Sequence, residues 1–334
     1  MQHIANNTCR GRDGLQTAIK YFLAVILVLT FVVFSLLSQK FLSISNIRDI
    51  LRSASILAIA AMGMLLCLTV GDMNFAIGAQ ISFTGIVIGL IMDQYSGNGA
   101  YVLAITLGIL ASVLVSIVCA VFIVTLKVPS FVGTLGVQML ITGLVRKLNG
   151  NTAYFSFNWE SNYTFIGQTN LLGIIPVPLV IGTVVVLIVW VLMAKTTRGR
   201  NFFALGANPI ASQQMGINIQ KEKYIAYAIC GALVGIAGVL QTSVTKSATI
   251  TMGSEMLLPT IAACMLGATF LTPGKYNVWG TVIASIFTFV VQYGVICMGL
   301  QFNMKDVIQG IILIIAISLV ALVRKEGLPQ VRFD

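Results

Sequence analysis

The chain has 334 residues, of which 57% are hydrophobic and only 9% are charged, with 20 Lys or Arg and 10 Asp or Glu. An average soluble protein carries about 25% charged residues, so this chain has too few to cover a surface that faces water. The composition excludes a soluble enzyme, a disordered tail and a disulfide scaffold, and it predicts an all-α polytopic membrane protein.

Ten stretches of the sequence reach the length of a membrane-crossing helix, about 20 mostly apolar residues. They predict one membrane domain over residues 21–323, between an N-terminal tail (1–20) and a C-terminal tail (324–334). Residues that disfavour helices fall within or just before 75–92 and 130–148, and we expect broken or re-entrant helices there. The ten predicted spans are 21–38, 50–70, 75–92, 101–126, 130–148, 171–193, 224–244, 256–271, 278–299 and 307–323.

The basic residues fall mainly on one side of this topology. With a cytoplasmic N-terminus and ten alternating spans, 13 of the 20 Lys and Arg residues lie inside and the other seven lie outside. Cytoplasmic loops carry an excess of Lys and Arg, so this distribution predicts that both termini are cytoplasmic. The basic residues occupy short loops rather than a continuous stripe, which argues against a nucleic-acid partner.

Small residues recur four apart on two of the predicted spans. Because lipid is as apolar as Leu, membrane helices associate closely through such residues, and we interpret both stripes as helix contacts. A stripe that widens a transport path is the alternative. The stripes are Gly108, Ser112, Ser116 and Ala120 on the fourth span, and Gly231 and Gly235, with Gly238 nearby, on the seventh.

The segment 149–170 lies outside in this topology and is rich in Asn, Ser, Thr and aromatic residues. We expect Trp159 and Tyr163 at the membrane interface, where amphipathic rings are favoured. The segment could be a docking surface for an extracytoplasmic partner or a loop that lies along the interface without one.

The residue inventory excludes several kinds of chemistry. The six cysteines have no CxxC spacing and the only histidine is His3, so we expect no metal site and no disulfide framework. Lys275 is followed by Tyr276 and lacks the upstream glycine of a phosphate-binding loop, so we expect no phosphate cradle in this chain. No ionisable residue falls in the core of a predicted span, and no catalytic constellation is present, which argues against a proton relay and against an enzyme.

The longest polar loop, 195–223, lies inside and predicts a short helix at 209–215. Asn208 is a favourable N-cap, Pro209 suits the first helical position, and Gly216 suits a left-handed stop. Such a helix could dock in a groove of another protein. It could also lie on anionic headgroups.

This loop resembles that of the permease subunits of bacterial ABC importers for ribose, xylose, galactose and related solutes. Three further segments, 128–136, 230–240 and 262–281, resemble the same family. Asn74 stands where the family usually has Asp, with Asp72 two residues earlier, and Thr142 stands where it usually has Arg. The residues that match the family loop, in order and spacing, are Thr196, Gly199, Arg200, Ala204, Gly206, Asn208, Ala211, Gly216 and Ile217.

The resemblance implies a membrane-spanning permease subunit of an ATP-driven importer for a small sugar or sugar-like solute. Its partners would be an ABC ATPase docked on the coupling helix at 208–216, an extracytoplasmic solute-binding protein, and a second permease copy or a sister permease. It implies a bacterial cell membrane, no cofactor bound by this chain, and ATP used by the partner subunit. An ion-coupled carrier or a passive channel for a small polar solute is the alternative.

Uncharged polar residues within the spans are the candidates to line a path for a neutral polyol. Each could equally satisfy a neighbouring helix, because unpaired polar groups are costly in lipid. The candidates are Asn74, Gln80, Ser82, Thr84, Gln138, Thr142, Gln292 and Gln309.

Overall fold

The computed structural model describes residues 23–95, 99–150, 152–155, 159, 161–171, 173–272 and 274–299, together with 307, 310, 311, 314 and 318. Over these residues the chain is a bundle of α-helices with four two-residue strands. The helices are α1 Leu23–Leu37, α2 Ile44–Thr69, α3 Ile77–Gln94, α4 Ala100–Ala120, α5 Ser130–Asn149, α6 Ser161–Gln168, α7 Val177–Lys195, α8 Thr197–Ala207, α9 Pro209–Gln214, α10 Ile219–Thr245, α11 Ser254–Gly267 and α12 Val278–Cys297.

Seven helices in the described part of the chain are long and apolar enough to cross a membrane: α2, α3, α4 with its continuation to Thr125, α5, α7, α10 and α12. Each coincides with a predicted span. The predicted span at 256–271 is the shorter α11, which has 14 residues and contains Pro259. The predicted span at 307–323 falls almost entirely outside the described residues, as do both predicted tails, so the count of ten remains a prediction.

The two spans expected to be broken or re-entrant, 75–92 and 130–148, are continuous helices from Ile77 and Ser130, so the expected break is wrong and re-entry remains a prediction. The interior glycines of α3 serve close packing instead: a Cβ on Gly89 would lie 2.9 Å from the Cβ of Tyr154. The irregular turn is at the end of α4, where the chain continues into a π-helix at Val121–Thr125 and Leu126 N donates to Val121 O at 3.2 Å.

The core lies around α2, which packs against α7, α10, α11 and α12. Beside it, α4 packs against α10 and α3. Members of the two predicted small-residue stripes meet at the α4–α10 contact: a Cβ on Gly231 would lie 2.8 Å from the Cβ of Ser116, and one on Gly235 would lie 2.9 Å from the Cα of Ile109. Gly108 and Gly238 instead contact Thr84 of α3. The interpretation of these stripes as helix contacts is confirmed.

Helices α8 and α9 lie at the end of the bundle where α2, α7 and α11 finish, which we call the α9 end. The opposite end carries the strands. Strand β1 Tyr154–Phe155 pairs antiparallel with β4 Ser247–Ala248, and β2 Asn170–Leu171 pairs antiparallel with β3 Ile175–Pro176.

Trp159 and Tyr163 are buried within the bundle, and their expected position at the membrane interface remains a prediction. Their rings form a T-shaped pair with centroids 5.7 Å apart, and Tyr163 is fully buried against α10. The Tyr163 hydroxyl donates to Val239 O at 3.0 Å, and Ser243 Oγ donates to Tyr163 O at 2.7 Å. Because the aromatic pair fills a groove beside α10, it stabilises the fold.

Candidate functional site

At the α9 end, a tight turn at Thr196 connects α7 to α8. Thr196 caps α8, since its Oγ1 accepts from Gly199 N at 3.3 Å and donates to Leu192 O at 2.6 Å. Helix α8 was not predicted from the sequence, although Thr196 was a usable N-cap signal for it. Phe202 and Leu205 hold α8 in the core, where both are fully buried.

Glycines allow α8 to lie directly on two membrane-spanning helices. A Cβ on Gly199 would collide with the carbonyl oxygen of Met193 at the end of α7. A Cβ on Gly206 would collide with the carbonyl oxygen of Thr69 at the end of α2. Only a residue without a side chain fits at either contact, so α8 is joined closely to both spans.

The predicted short helix in this loop is present as α9 Pro209–Gln214. Asn208 Oδ1 accepts from Ala211 N at 3.1 Å, which is the predicted N-cap. Gly216 has a φ of +81°, the predicted left-handed stop, and Ile217 N donates back to Ser212 O at 3.1 Å. The local geometry predicted for this segment is confirmed.

Helix α9 presents an apolar pair at the surface. Ser212 is buried and its Oγ donates to Asn208 O at 2.9 Å, which fixes the inner side of the helix. On the outer side Ile210 and Met215 are each 73% exposed. Two large apolar side chains at the tip of a capped helix form a surface suited to a groove in another protein.

Two ion pairs hold this segment to the bundle. Lys223 Nζ lies 2.9 Å from Asp72 Oδ1, and Arg198 Nη1 lies 3.1 Å from Glu222 Oε1. Asn201 Nδ2 also donates to Glu222 Oε1, at 2.9 Å. Burial raises the pKa of Asp72, and the charge of Lys223 and its hydrogen bond act in the opposite direction. The sequence did not reveal these pairs, because their members lie far apart in the chain.

Three candidate path residues lie in the interior between α3, α4 and α10. Asn74 Nδ2 donates to Cys230 Sγ on α10 at 3.5 Å, and its Oδ1 accepts from Ala76 N at 3.0 Å within the turn that starts α3. Gln80 Nε2 donates to Ser116 Oγ at 2.9 Å, and Thr84 Oγ1 donates to Gly108 O at 3.3 Å. Each therefore makes a contact with a neighbouring segment. Gln80 Oε1 is buried and has no hydrogen-bond partner among the described residues.

The other candidate path residues lie elsewhere. Thr142 Oγ1 donates to Gln138 O at 2.8 Å within α5, and Gln138 Oε1 is buried without a partner in the described part of the chain. Gln292 lines a separate cavity of about 230 Å³ near the opposite end, together with Gln241 and Tyr293. Ser82 Oγ donates to Ile250 O at 2.8 Å. Gln309 lies outside the described residues, and the candidates do not converge on one cavity.

Comparison with known proteins places this fold in a family. Residues 46–317 match the family described as the branched-chain amino acid transport system / permease component. The chain belongs to this permease family. It is 30% identical over 298 residues to the ribose import permease protein RbsC of Escherichia coli strain K12, over 88% of this chain and 91% of that protein.

Further comparisons agree with this family. The permease is 26% identical over 319 residues to the galactose/methyl galactoside import permease protein MglC of Salmonella typhimurium strain LT2, over 89% of this chain and 92% of that protein. A solved inward-facing metal-chelate type ABC transporter has the same fold, with a TM-score of 0.51 and 15% identity, over 93% of this chain and 99% of that one.

These comparisons confirm the resemblance predicted from the loop at 195–223. The permease is a multi-pass membrane protein related to ABC importer permeases, and an ion-coupled carrier or passive channel is not favoured.

Proposed function

We propose that this permease is the membrane-spanning subunit of an ATP-driven importer for a small sugar or sugar-like solute. The observation that carries the proposal is α9, a capped helix with two exposed apolar side chains, in a chain whose relatives are named as sugar import permeases. The permease would lie in the bacterial cell membrane with both termini cytoplasmic. It would receive solute from a binding protein and work with a second permease copy or a sister permease.

In this proposal the α9 end faces the cytoplasm and carries the ATPase. Movement of the ATPase would press on Ile210 and Met215. The Arg198–Glu222 pair would pass the displacement from α8 to α10, and the Lys223–Asp72 pair would pass it from α10 to the turn between α2 and α3. The permease would bind no cofactor itself, and ATP would be hydrolysed only by the partner. The proposed coupling residues are Thr196, Gly199, Arg200, Ala204, Gly206, Asn208, Pro209, Ala211, Gly216 and Ile217.

The proposed solute path is assigned from buried polar groups that can still accept a hydrogen bond. Gln80 Oε1 on α3 and Gln138 Oε1 on α5 are both buried acceptors without a partner among the described residues, and these two helices pack against each other. A solute hydroxyl that donates to either oxygen would remove the cost of leaving it unpaired. Asn74, Thr84, Thr142 and Gln292 remain proposed path residues on weaker grounds, since the first three already make hydrogen bonds within the protein and Gln292 lies at a separate cavity.

The test is uptake of labelled ribose or galactose into proteoliposomes that contain the permease with its ATPase and binding protein. We expect uptake only when all partners and ATP are present. Gln80→Leu and Gln138→Leu should slow uptake on the order of tenfold. Thr183→Val, which removes an exposed hydroxyl that donates to Leu179 O within α7, should have no effect. Uptake by the permease alone would contradict the proposal.

Coupling is tested separately by the association of the ATPase with purified permease. Ile210→Asp with Met215→Asp should weaken association at least tenfold, because both charges would be buried in the interface. Ile174→Asp is the matched control, since Ile174 is 58% exposed and lies at the opposite end. Equal association of the control and the α9 variant would exclude α9 as the docking element.

A further inference from the structure

A cavity of about 620 Å³ opens at the α9 end between α2, α7, α8 and the turn that joins α11 to α12. It is separate from the exposed tip of α9 and from the candidate path residues. Its walls are formed by the terminal turns of α2, α7 and α12 and by α8, which lies across them. We call it the tryptophan cavity, after Trp190 and Trp279, which form one side of it.

The inner wall of the tryptophan cavity is apolar. Trp190 near the end of α7 and Trp279 at the start of α12 have ring centroids 6.2 Å apart and tilted by 54°. Leu68, Met193 and Val278 extend this wall. All five belong to helices long and apolar enough to cross the membrane, at the terminal turns, where Trp rings favour the depth of the headgroups.

The rim of the cavity is positively charged. Arg200 on α8 and Lys275 in the α11–α12 turn both line it and are exposed. Lys195 lies close by, with its Nζ 6.0 Å from the Trp190 ring centroid. No carboxylate lines the cavity among the described residues, and none of these three cations has an ion-pair partner in that part of the chain. The rim therefore complements an anion.

We propose that the tryptophan cavity binds one anionic phospholipid, with its phosphate at Arg200 and Lys275 and an acyl chain against the Trp190 and Trp279 rings. An apolar wall on membrane-spanning helices beneath a basic rim matches the two parts of such a lipid. A segment of a soluble partner could reach the inner wall only by entering the bilayer. A free phosphate has no apolar part that could contact the apolar wall.

The bound lipid would brace α8 against the spans. Arg200, Phe203 and Gly206 place one side of α8 on the cavity, and Gly206 touches the end of α2. A lipid that fills the space would resist rotation of α8 away from α7 and α12. Anionic lipid would therefore stabilise the segment that carries α9.

The test is quenching of tryptophan fluorescence in purified permease by phosphatidylglycerol with brominated acyl chains, with brominated phosphatidylcholine for comparison. We expect stronger quenching at lower concentration by phosphatidylglycerol. Arg200→Gln with Lys275→Gln should weaken its apparent affinity roughly 30-fold, at about 1 kcal/mol for each basic residue. Trp190→Phe with Trp279→Phe should remove the difference between the lipids, because Trp159 lies buried at the opposite end.

The matched control is Arg146→Gln with Lys147→Gln, which removes two exposed charges from the opposite end. The control should keep the affinity for phosphatidylglycerol. Equal quenching by both lipids, or an equal loss in the control, would overturn the proposal. Displacement by equimolar inorganic phosphate would show a phosphate site instead, and protection by the ATPase subunit would show a protein-docking site. Thermal melting of each variant verifies that it is folded.

Discussion

A buried ion pair joins two distant parts of the chain at the α9 end. The side chain of Asp72 is 7% exposed and that of Lys223 is 20% exposed, with 2.9 Å between their charged atoms. Burial raises the pKa of Asp72 even with Lys223 present, so desolvation outweighs the attraction. Removing the lysine would leave an uncompensated carboxylate in the interior.

We predict that Lys223→Met lowers the free energy of unfolding by roughly 3 kcal/mol at neutral pH, the lower end for breaking a buried pair, because the lysine is partly exposed. Burial raises the pKa of Asp72, so Asp72 binds a proton more readily in the folded protein than in the unfolded chain. Stability is therefore regained as the pH falls through that pKa. Thermal melting in detergent across pH measures both effects.

Two variants control this prediction. Asp72→Asn with Lys223→Met removes both charges and should recover most of the stability, with little dependence on pH. Lys221→Met removes an exposed lysine two residues away and should change stability little. A melting temperature of Lys223→Met equal to that of Lys221→Met would show that the pair contributes nothing.

At the scale of elements, close helix contacts depend on glycines whose partners are far apart in sequence. A Cβ on Gly253, just before α11, would collide with the carbonyl oxygen of Gly78 in α3. The φ of Gly253 is −87°, which any residue can adopt, so sterics alone require glycine there. Ser82 Oγ accepts from Gly253 N at 3.0 Å and fixes the same contact.

We predict that Gly253→Val destabilises the permease by about 1–3 kcal/mol, since α11 must shift away from α3. The melting temperature should fall by a few degrees or more. Gly136→Ala is the control: Gly136 is exposed on α5, and no atom of the described residues lies within 4 Å of the added Cβ. Equal melting temperatures of the two variants would mean that α11 accommodates the valine without loss of stability.

The existence and type of most elements could be predicted from the sequence, because hydropathy and capping residues act locally. Asn208, Pro209 and Gly216 predicted α9 for that reason. The expected breaks in α3 and α5 were wrong because glycine disfavours an isolated helix, whereas in α3 it allows close approach to a neighbour. Helix α8 was missed because few of its residues are strongly apolar, and it is held by Phe202 and Leu205 in the core.

At the scale of the whole molecule, the uneven distribution of Lys and Arg predicts the orientation of the bundle. The α9 end carries Lys195, Arg198, Arg200, Lys221 and Lys223. The positive-inside rule places such a cluster in the cytoplasm.

Cys67, Cys119, Cys230 and Cys264 are buried, so introduced cysteines can be labelled over a low background.

We predict that, in cells that express the permease without its ATPase, a membrane-impermeant maleimide labels Met215→Cys only after the cells are permeabilised, and labels Ile174→Cys in intact cells. Both side chains are well exposed, at 73% and 58%, and they lie at opposite ends of the bundle. The background for both is Cys9→Ala with Cys297→Ala. The reverse pattern of labelling would show that the α9 end faces outward.

The sequence by itself determined the membrane class, the positions of seven long apolar helices and the capped geometry of α9, since these depend on composition and on neighbouring residues. Only the tertiary structure decided which distant side chains come into contact. Asp72 and Lys223 are 151 residues apart, and Trp190 meets Trp279 across two separate helices. Such contacts depend on how the helices pack, which no local pattern encodes.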